Sequence, residues 1–376
     1  MVLYDNVETA YFIERENRFI LRLKRENNEE INAYVANPGR MEEFLVPGHP
    51  FFITQSQAGK YKYHTVSTVY QDSYILLDTI KINRLAEIMI KNKRIDLFKN
   101  ITNIRREVKL LNSKFDFLLE PEDEKPIILE IKSCSLCHNG VAMFPDAPTE
   151  RGKRHMEDLE QLANQGFQTY TLYMINHKNA TVFIPNGHTD PDYSRTFCDS
   201  QKVKFLAYKF NLIDPITLDL TFFKPVKIDY QKACSIHQDR GSYLMIMYNA
   251  EEFTETIGSI GQRTFKKGYY VYAGSALHGL EHRIKRHLKK NKKLHWHIDY
   301  ISPAHMKTVK VYPIRRADPI EESLARGLMD ICEGYIDQFG ASDSKVTSHL
   351  FYFPEPPFRR RDFLDLLLDH RMFSLP

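Results

Sequence analysis

The sequence predicts a mixed α/β (α+β) protein built from successive domains. Short strand-like runs fill residues 10–80, and a helix, three strands, a helix and a strand follow in that order. A new strand begins near residue 241, after a polar stretch. The chain has 376 residues, of which 43% are hydrophobic, which is enough for two or three domains with buried cores. We expect domains at 1–82, 83–226 and 241–376, with a linker at 227–240.

The first domain is expected to be a small β-barrel. Phe19–Leu23, Ile31–Val35 and Val66–Tyr70 are rich in β-branched or aromatic residues, and Pro-Gly pairs at 38–39 and 47–48 mark turns. Short strands with such turns fit a barrel of the OB type. Barrels of this type commonly bind oligonucleotides on one face.

A charged strand in the second domain is the most informative feature of the chain. Ile127–Ser133 carries Glu130 and Lys132 on one face, because side chains alternate along a strand. The preceding strand, Lys114–Leu119, carries Asp116, which an antiparallel hairpin would bring close to both charges. Two such carboxylates repel each other unless a cation such as Mg²⁺ lies between them. The alternative is an exposed hairpin with one polar face.

A loop and helix with several cations follow this hairpin. We expect the helix to begin near Arg151, with Asp146 or Thr149 as its cap, and a helix N-terminus attracts phosphate. Arg151 and Arg154 add positive charge there, and His155 is suited to carrying a proton or donating to a phosphate. Ordinary capping beside a basic surface is the alternative interpretation.

The motifs of the first two domains resemble those of a known family. Asn37–Gly48, Arg106–Val108 and Phe144–His155, taken with the charged hairpin, resemble the sugar fermentation stimulation protein A family over about residues 10–210. That family is similar to PD-(D/E)xK nucleases, with an OB-like barrel ahead of the nuclease core. The resemblance implies nucleic-acid binding, metal-dependent phosphodiester cleavage, and an older link to the regulation of sugar catabolism.

The resemblance also implies roles for individual residues. Asp116 and Glu130 are expected to hold Mg²⁺ or Mn²⁺, and Lys132 to activate water or stabilise charge on phosphorus. Glu87 lies on the first helix, predicted over Asn83–Lys93, and is a candidate third metal ligand by family position, although a solvated helix charge explains it at least as well. Arg40 is expected to contact nucleic acid, as are Arg151, Arg154 and His155.

The last third of the chain carries a second group of motifs. They resemble a GIY-YIG-type domain, of an uncharacterised branch, over about residues 239–354. The matching segments are Gly241–Met247, Phe265–Ser275, Leu280–Leu288, Lys293–Tyr300 and Ser348–Phe353.

The GIY-YIG resemblance implies a second active site. Tyr243 and Tyr272 match the two tyrosines of that family, Arg283 matches its helical arginine, and Glu321 is the best candidate for its metal-binding carboxylate. Tyrosine can move a proton, arginine can balance phosphate charge, and glutamate can hold Mg²⁺. This sequence departs from the family in lacking the middle isoleucine of both tyrosine motifs.

The basic excess of the chain lies in this last third. Residues 231–376 carry a net charge of +5, whereas residues 1–230 carry −1. Glu281–His297 holds seven Lys or Arg, four His and one acid, which favours contact with phosphates over a merely solvated helix face. The residues expected to bind nucleic acid here are Arg286, His287, Lys289 and Trp296.

Composition excludes several other classes of protein. No apolar run approaches the roughly 20 residues of a membrane span, and no signal sequence is evident, so a cytoplasmic protein with no membrane partner is expected. Five cysteines do not suggest a disulfide framework or a disulfide-linked partner. Cys134 and Cys137, followed by His138, match a haem-attachment pattern, but without an export signal we interpret them as incidental loop thiols.

Three functional interpretations follow from the sequence. The leading one is a nuclease that uses Mg²⁺ or Mn²⁺ to hydrolyse phosphodiester bonds in DNA or RNA. The alternative is a DNA-binding regulator of sugar catabolism, of the maltose type, that does not cleave. An interaction scaffold is disfavoured, because both modules keep charged residues at the positions where catalysis is expected.

Overall fold

The computed structural model describes residues 1–56, 60–302, 304–341 and 344–372. The chain forms two compact units, one over Met1–Cys234 and one from Ser235 onward. Among the described residues, no helix combines the length and the apolar character needed to cross a membrane.

The first unit begins with a barrel. Its strands are β1 (Glu8–Asn17), β2 (Ile20–Arg25), β3 (Glu30–Val35), β4 (Pro50–Gln55), β5 (Tyr63–Tyr70) and β6 (Ser73–Leu76). They pair in the order β3-β2-β1-β4-β5-β6, and an additional parallel pairing of β3 with β5 closes the barrel. Leu21, Leu23, Phe51 and Ile53 fill the interior. The expected OB-like barrel is confirmed.

The rest of the first unit is a sheet flanked by helices. Its elements are α1 (Ile80–Lys91), β7 (Ile101–Leu110), β8 (Ser113–Pro121), β9 (Ile127–Cys134), β10 (Cys137–His138), β11 (Val141–Phe144), α2 (Glu150–Asn164), β12 (Gln168–Ile175), β13 (Val182–Pro185), α3 (Pro191–Asp199), β14 (Lys204–Asp214), β15 (Thr217–Pro225), β16 (Lys227–Ile228) and α4 (Tyr230–Ala233). The main sheet has the order β15-β14-β12-β9-β8-β7, and β10-β11-β13-β16 form a smaller one.

Strand β9 lies in the middle of the main sheet. It pairs antiparallel with β8 and parallel with β12. Leu129 and Ile131 join the hydrophobic core that includes Ile82 and Leu85 of α1. The alternation expected for this strand is therefore confirmed, because Glu130 between them is turned away from that core.

The cysteines correct one expectation. Cys198 and Cys234 form a disulfide between the ends of α3 and α4, with Cα atoms 5.7 Å apart. The odd cysteine count could not reveal this pair, because only the packing of two helices brings residues 36 apart into contact. Cys134 and Cys137 are buried in β9 and β10 instead of lying in a loop.

Residues 227–234, expected in a linker, form β16 and α4 at the end of the first unit.

The second unit is a mixed α+β domain. Its elements are β17 (Gly241–Asn249), β18 (Phe253–Ile257), β19 (Gly261–Phe265), β20 (Gly268–Ala276), α5 (Leu280–Leu288), α6 (His297–Ile301), β21 (Lys307–Arg315), α7 (Glu321–Ile331), β22 (Gly334–Tyr335), β23 (Leu350–Phe353) and α8 (Arg361–Arg371). The antiparallel sheet has the order β21-β17-β20-β23-β22, and β18 with β19 forms a separate hairpin.

A half-buried aspartate joins the barrel to the rest of the first unit. Asp146, in the loop before α2, accepts a hydrogen bond from the backbone N–H of Met41 at 3.3 Å. It does not cap α2, because the Thr149 side chain accepts the N–H of Gly152 and serves as the cap. A Cβ on Gly39 would lie 2.2 Å from an Asp146 carboxylate oxygen, so the barrel loop approaches Asp146 as closely as glycine allows.

We expect Gly39→Ala to lower the free energy of unfolding by about 2 kcal/mol, because a methyl group would be forced against the hydrogen-bonded Asp146 carboxylate. The measurement is urea denaturation of the wild type, Gly39→Ala, Asp146→Ala and the double variant. In the Asp146→Ala background the obstructing carboxylate is gone, so Gly39→Ala should cost much less there. Equal costs in both backgrounds would contradict this account of the junction.

Candidate active site

Asp116 and Glu130 come together on adjacent strands of the main sheet. Phe117 of β8 is opposite Leu129 of β9, which brings the preceding Asp116 beside the following Glu130. Asp116 is held from two sides: Asn83 of α1 donates to Oδ1 at 2.7 Å, and the Ile131 backbone N–H donates to Oδ2 at 2.7 Å.

Glu130 is buried, and its two oxygens differ. Oε1 accepts from Lys132 Nζ at 2.8 Å and from His155 Nδ1 at 2.6 Å. Oε2 is also buried and has no hydrogen-bond partner among the described residues. A buried carboxylate oxygen left without a donor is costly, and a bound cation is one way to compensate that cost.

The two carboxylates have opposite pKa shifts. Burial, followed by the charge of Glu130, raises the pKa of Asp116 to about 6. Burial would also raise the pKa of Glu130, but Lys132 and His155 outweigh it, and the pKa is lowered. Near neutral pH both groups are therefore mainly ionised, and a cation between them would relieve their repulsion.

A cavity of roughly 250 Å³ opens onto this pair. Asn83 contributes to its wall from α1, and Thr149, Arg151 and Gly152 contribute from the first turn of α2. Gly152 has little room for a side chain, because a Cβ there would lie 2.8 Å from the Thr149 methyl carbon. The cavity thus combines two carboxylates with Lys132, an arginine and a helix N-terminus, a set suited to a metal ion and a phosphate group.

The structure places the other predicted residues of this unit differently. Glu87 is buried but ion-paired with Lys91 at 2.7 Å and with Arg106, whereas Asn83, one turn earlier, lines the cavity. A metal-ligand role for Glu87 stays a prediction, with both of its oxygens already engaged. Arg40 and Arg154 are exposed.

The structure corrects the prediction that His155 contacts nucleic acid directly. The side chain is 2% exposed and hydrogen-bonds to Glu130, because its position on the second turn of α2 turns it into the sheet. Asn83 was missed by the sequence analysis. Its only signal was its place at the start of the predicted first helix.

The second unit brings its predicted tyrosines close to a histidine. Tyr243 Oη and His287 Nε2 lie 2.9 Å apart, and the Tyr243 and Tyr272 ring centroids are 6.2 Å apart. A Cβ at Gly274 would lie 2.5 Å from the Tyr243 ring, so this ring packs on a position that requires glycine. His287 is 1% exposed, which corrects its assignment as a nucleic-acid contact.

A buried aspartate organises the basic segment of the second unit. Asp299 accepts from both terminal nitrogens of Arg286 at 3.0 Å and from the backbone N–H groups of His295 and Trp296. Its Oδ1 also lies 3.5 Å from His287 Nδ1. Burial would raise the pKa of Asp299, but these partners lower it strongly. Both terminal nitrogens of Arg286 are therefore bound to Asp299. Asp299 was not among the residues that the sequence pointed to.

The other predicted residues of this unit lie around the same region. Ser275 donates to Glu321, and His349 Nδ1 is 3.6 Å from Glu321 Oε1. The Arg283 guanidinium lies 4.1 Å from the Trp296 ring centroid, in a cation–π contact. Within the part of the chain that the structure describes, no group of three or more His, Cys, Asp or Glu side chains is arranged to hold a metal ion.

Three family models match the chain in succession. They are described as the SfsA N-terminal OB domain over residues 13–77, the sugar fermentation stimulation protein RE domain over 81–214, and a domain of unknown function, DUF123, over 242–370. A sugar fermentation stimulation protein homolog of Methanosphaera stadtmanae is 34% identical over 217 residues, covering 56% of this chain and 90% of the relative. The chain belongs to the sugar fermentation stimulation protein family. The predicted resemblance is confirmed.

Further comparisons agree with this membership. A homolog from Ruminiclostridium cellulolyticum is 36% identical over 193 residues, covering 51% of this chain and 84% of that protein. The solved structure of Pyrococcus furiosus SfsA is similar in fold, with a TM-score of 0.54 and 24% identity, covering 61% of this chain and 99% of that one. The family therefore accounts for the first unit, and the second is an addition to it.

We expect Asp116→Asn to stabilise the metal-free protein at alkaline pH. The folded pKa of Asp116, about 6, lies above its ordinary value of 3.8, so the folded state holds this proton more tightly than the unfolded state. The resulting stability is present below about pH 4 and is lost as pH rises through about 6. The gain from Asp116→Asn should therefore be about 2 kcal/mol larger at pH 8 than at pH 4.

Urea denaturation in EDTA at both pH values measures this difference. The matched control is Asp192→Asn, which removes an exposed carboxylate from α3. A change in unfolding free energy for Asp116→Asn that is the same at pH 4 and pH 8 would contradict the pKa assignment.

Proposed function

We propose that the first unit is a divalent-metal-dependent phosphodiesterase acting on DNA or RNA. The single observation that carries this proposal is the buried Glu130 Oε2, which has no donor among the residues that the structure describes and lies beside a second carboxylate in an open cavity. A purely structural ion pair would be expected to satisfy both oxygens of a buried carboxylate.

The residues present fit a magnesium or manganese ion. Asp116 and Glu130 are oxygen ligands, and Mg²⁺ typically uses one or two protein carboxylates together with substrate phosphate oxygens. When bound, the ion would acidify water and polarise the phosphate group. The related Pyrococcus furiosus SfsA was solved in complex with Ca²⁺, another cation that prefers oxygen ligands.

Lys132 and Arg151 supply the positive charge that the substrate needs. Lys132 is nearly buried, with 11% of its side chain exposed, so its ammonium acts on a phosphate with little screening. It remains hydrogen-bonded to Glu130 and would stabilise negative charge that develops on phosphorus. Arg151 and the first turn of α2 would bind and orient the phosphate at the other side of the cavity.

Nucleic acid is the substrate class that the neighbouring barrel favours. The barrel lies in the same compact unit as the cavity and matches the OB-domain model of the family. Barrels of this type commonly bind oligonucleotides, and exposed Arg40 would add a phosphate contact. The alternative function is a DNA-binding regulator of sugar catabolism, which would use the same barrel without cleavage.

The second unit is proposed to hold a separate GIY-YIG-type site. The observation that favours it is the hydrogen bond between Tyr243 and His287, two buried side chains held together on β17 and α5. In this proposal Tyr243 and Tyr272 move protons, Arg283 balances phosphate charge, and Glu321 holds a metal ion. Exposed Lys289 on the adjacent segment would contact the nucleic-acid backbone.

We expect Glu130→Gln to reduce cleavage by the first unit at least about 100-fold, because the amide loses the charge that binds the metal while keeping an oxygen for Lys132 and His155. The measurement is cleavage of labelled single- and double-stranded DNA and RNA with Mg²⁺ or Mn²⁺. The matched control is Glu157→Gln, which changes an exposed carboxylate on α2.

The same assay separates the two functions. If Arg283→Ala still cleaves and the added Glu130→Gln leaves that cleavage intact, the assigned site is refuted. Salt-dependent DNA binding by both proteins, with no cleavage under either metal ion, would favour the regulator.

We expect Arg283→Ala to remove cleavage that survives Glu130→Gln, because cleavage at two independent sites disappears only when both sites are disabled. The double variant is compared with Glu130→Gln alone on the same substrates. Lys285→Ala is the control, since it removes an exposed cation from the same helix. If the double variant cleaves as fast as Glu130→Gln, Arg283 is not part of a second active site.

A further inference from the structure

His155 is a buried titratable residue that contacts two residues of the cavity and to which the proposed chemistry gives no role. It lies on α2 between two residues of the site. Nδ1 is 2.6 Å from Glu130 Oε1, and Nε2 accepts from Arg151 Nε at 3.3 Å. Its ring packs against Phe115, with centroids 5.5 Å apart.

The two contacts determine which ring nitrogen carries the proton. Arg151 Nε–H can only donate, so His155 Nε2 must present its lone pair. The ring proton is therefore on Nδ1 and is donated to Glu130 Oε1, a carboxylate that can only accept. The chain of hydrogen bonds runs in one direction, from Arg151 through His155 to Glu130.

This direction has a consequence at each end. At Glu130, two donors hold Oε1, which leaves Oε2 as the oxygen available to a metal ion. At Arg151, the Nε–H points to the histidine, which leaves the two terminal nitrogens for an anion in the cavity that this residue lines. One imidazole therefore orients both the metal ligand and the phosphate ligand.

We propose that His155 is a positioning residue that couples phosphate binding by Arg151 to metal binding by Glu130. The inference rests on the proposed function of the first unit. A phosphate that holds Arg151 in place stabilises the His155 ring, and the ring in turn holds Glu130 with Oε2 available. By linkage, a bound metal ion strengthens phosphate binding by the same factor.

Two substitutions separate positioning from packing. His155→Phe keeps a ring against Phe115 but removes both hydrogen bonds. His155→Asn can place an amide N–H where Nδ1 lies and so restore the bond to Glu130, but it is too short to reach Arg151 as Nε2 does. Partners of metal ligands are commonly worth 10–100-fold in metal affinity, so we expect His155→Phe to weaken Mn²⁺ binding about 10-fold. His155→Asn should stay within about 3-fold of the wild type.

The coupling is measured by calorimetric titration of Mn²⁺ with and without thymidine 5′-monophosphate, a phosphate probe that offers no phosphodiester bond. We expect the nucleotide to strengthen Mn²⁺ binding several-fold more in the wild type than in His155→Asn or Arg151→Ala, where only direct ligation of the ion by the phosphate remains. Arg195→Ala, which removes an exposed arginine from α3, should keep the full effect. Thermal denaturation verifies that each variant is folded.

The cleavage assay gives a second readout. His155→Phe should lower kcat and raise KM together, because it releases both Glu130 and Arg151, whereas Arg151→Ala should mainly raise KM. Wild-type Mn²⁺ affinity in folded His155→Phe would overturn the inference while leaving the proposed nuclease intact. So would an equal loss in His155→Asn and His155→Phe. A wild type that binds Mn²⁺ with this coupling but cleaves no substrate would refute the nuclease alone, and one that binds no Mn²⁺ would overturn both.

Discussion

The repulsion between two carboxylates buried on neighbouring strands is the constraint on which the first unit depends. Asp116 and Glu130 would be unfavourable in a central sheet unless donors surrounded them. Each is indeed held from two sides, by groups from α1, β9 and α2. In the described part of the chain one oxygen nevertheless has no donor, which costs stability and is the arrangement expected if the site binds the proposed cation.

The position of α2 links this site to the barrel. The loop that enters α2 contains Asp146, whose half-buried carboxylate holds the barrel loop at Met41 and leaves no room for a side chain at Gly39. Because Arg151 and His155 lie in the first two turns of the helix, any shift of that loop would move both. The barrel thus contributes to the geometry of the cavity as well as the surface that we propose binds nucleic acid.

In the second unit it is positive charges, instead of carboxylates, that lie close together. The cations of its basic segment repel one another, and Asp299 offsets part of that repulsion. It accepts a hydrogen bond from Arg286, and its Oδ1 lies 3.4 Å from Lys292 Nζ. The same carboxylate lies beside His287, which contacts Tyr243. Arg286 and Lys292 of the basic segment are therefore bound within the unit, whereas Lys285, Lys289 and Lys290 are exposed and are available for the contact with nucleic acid that we propose.

Local pattern alone determined the barrel, the charged hairpin and the juxtaposition of Asp116 with Glu130, because strand alternation and hairpin pairing act over a few residues. Only the tertiary structure decided the roles of Asn83, His155 and Asp299 and the Cys198–Cys234 disulfide. Each of those contacts joins different helices, strands or connecting segments. The partners of these residues depend on how the elements pack. The polar periodicity of a single helix is the same whether its histidine faces solvent or a buried carboxylate.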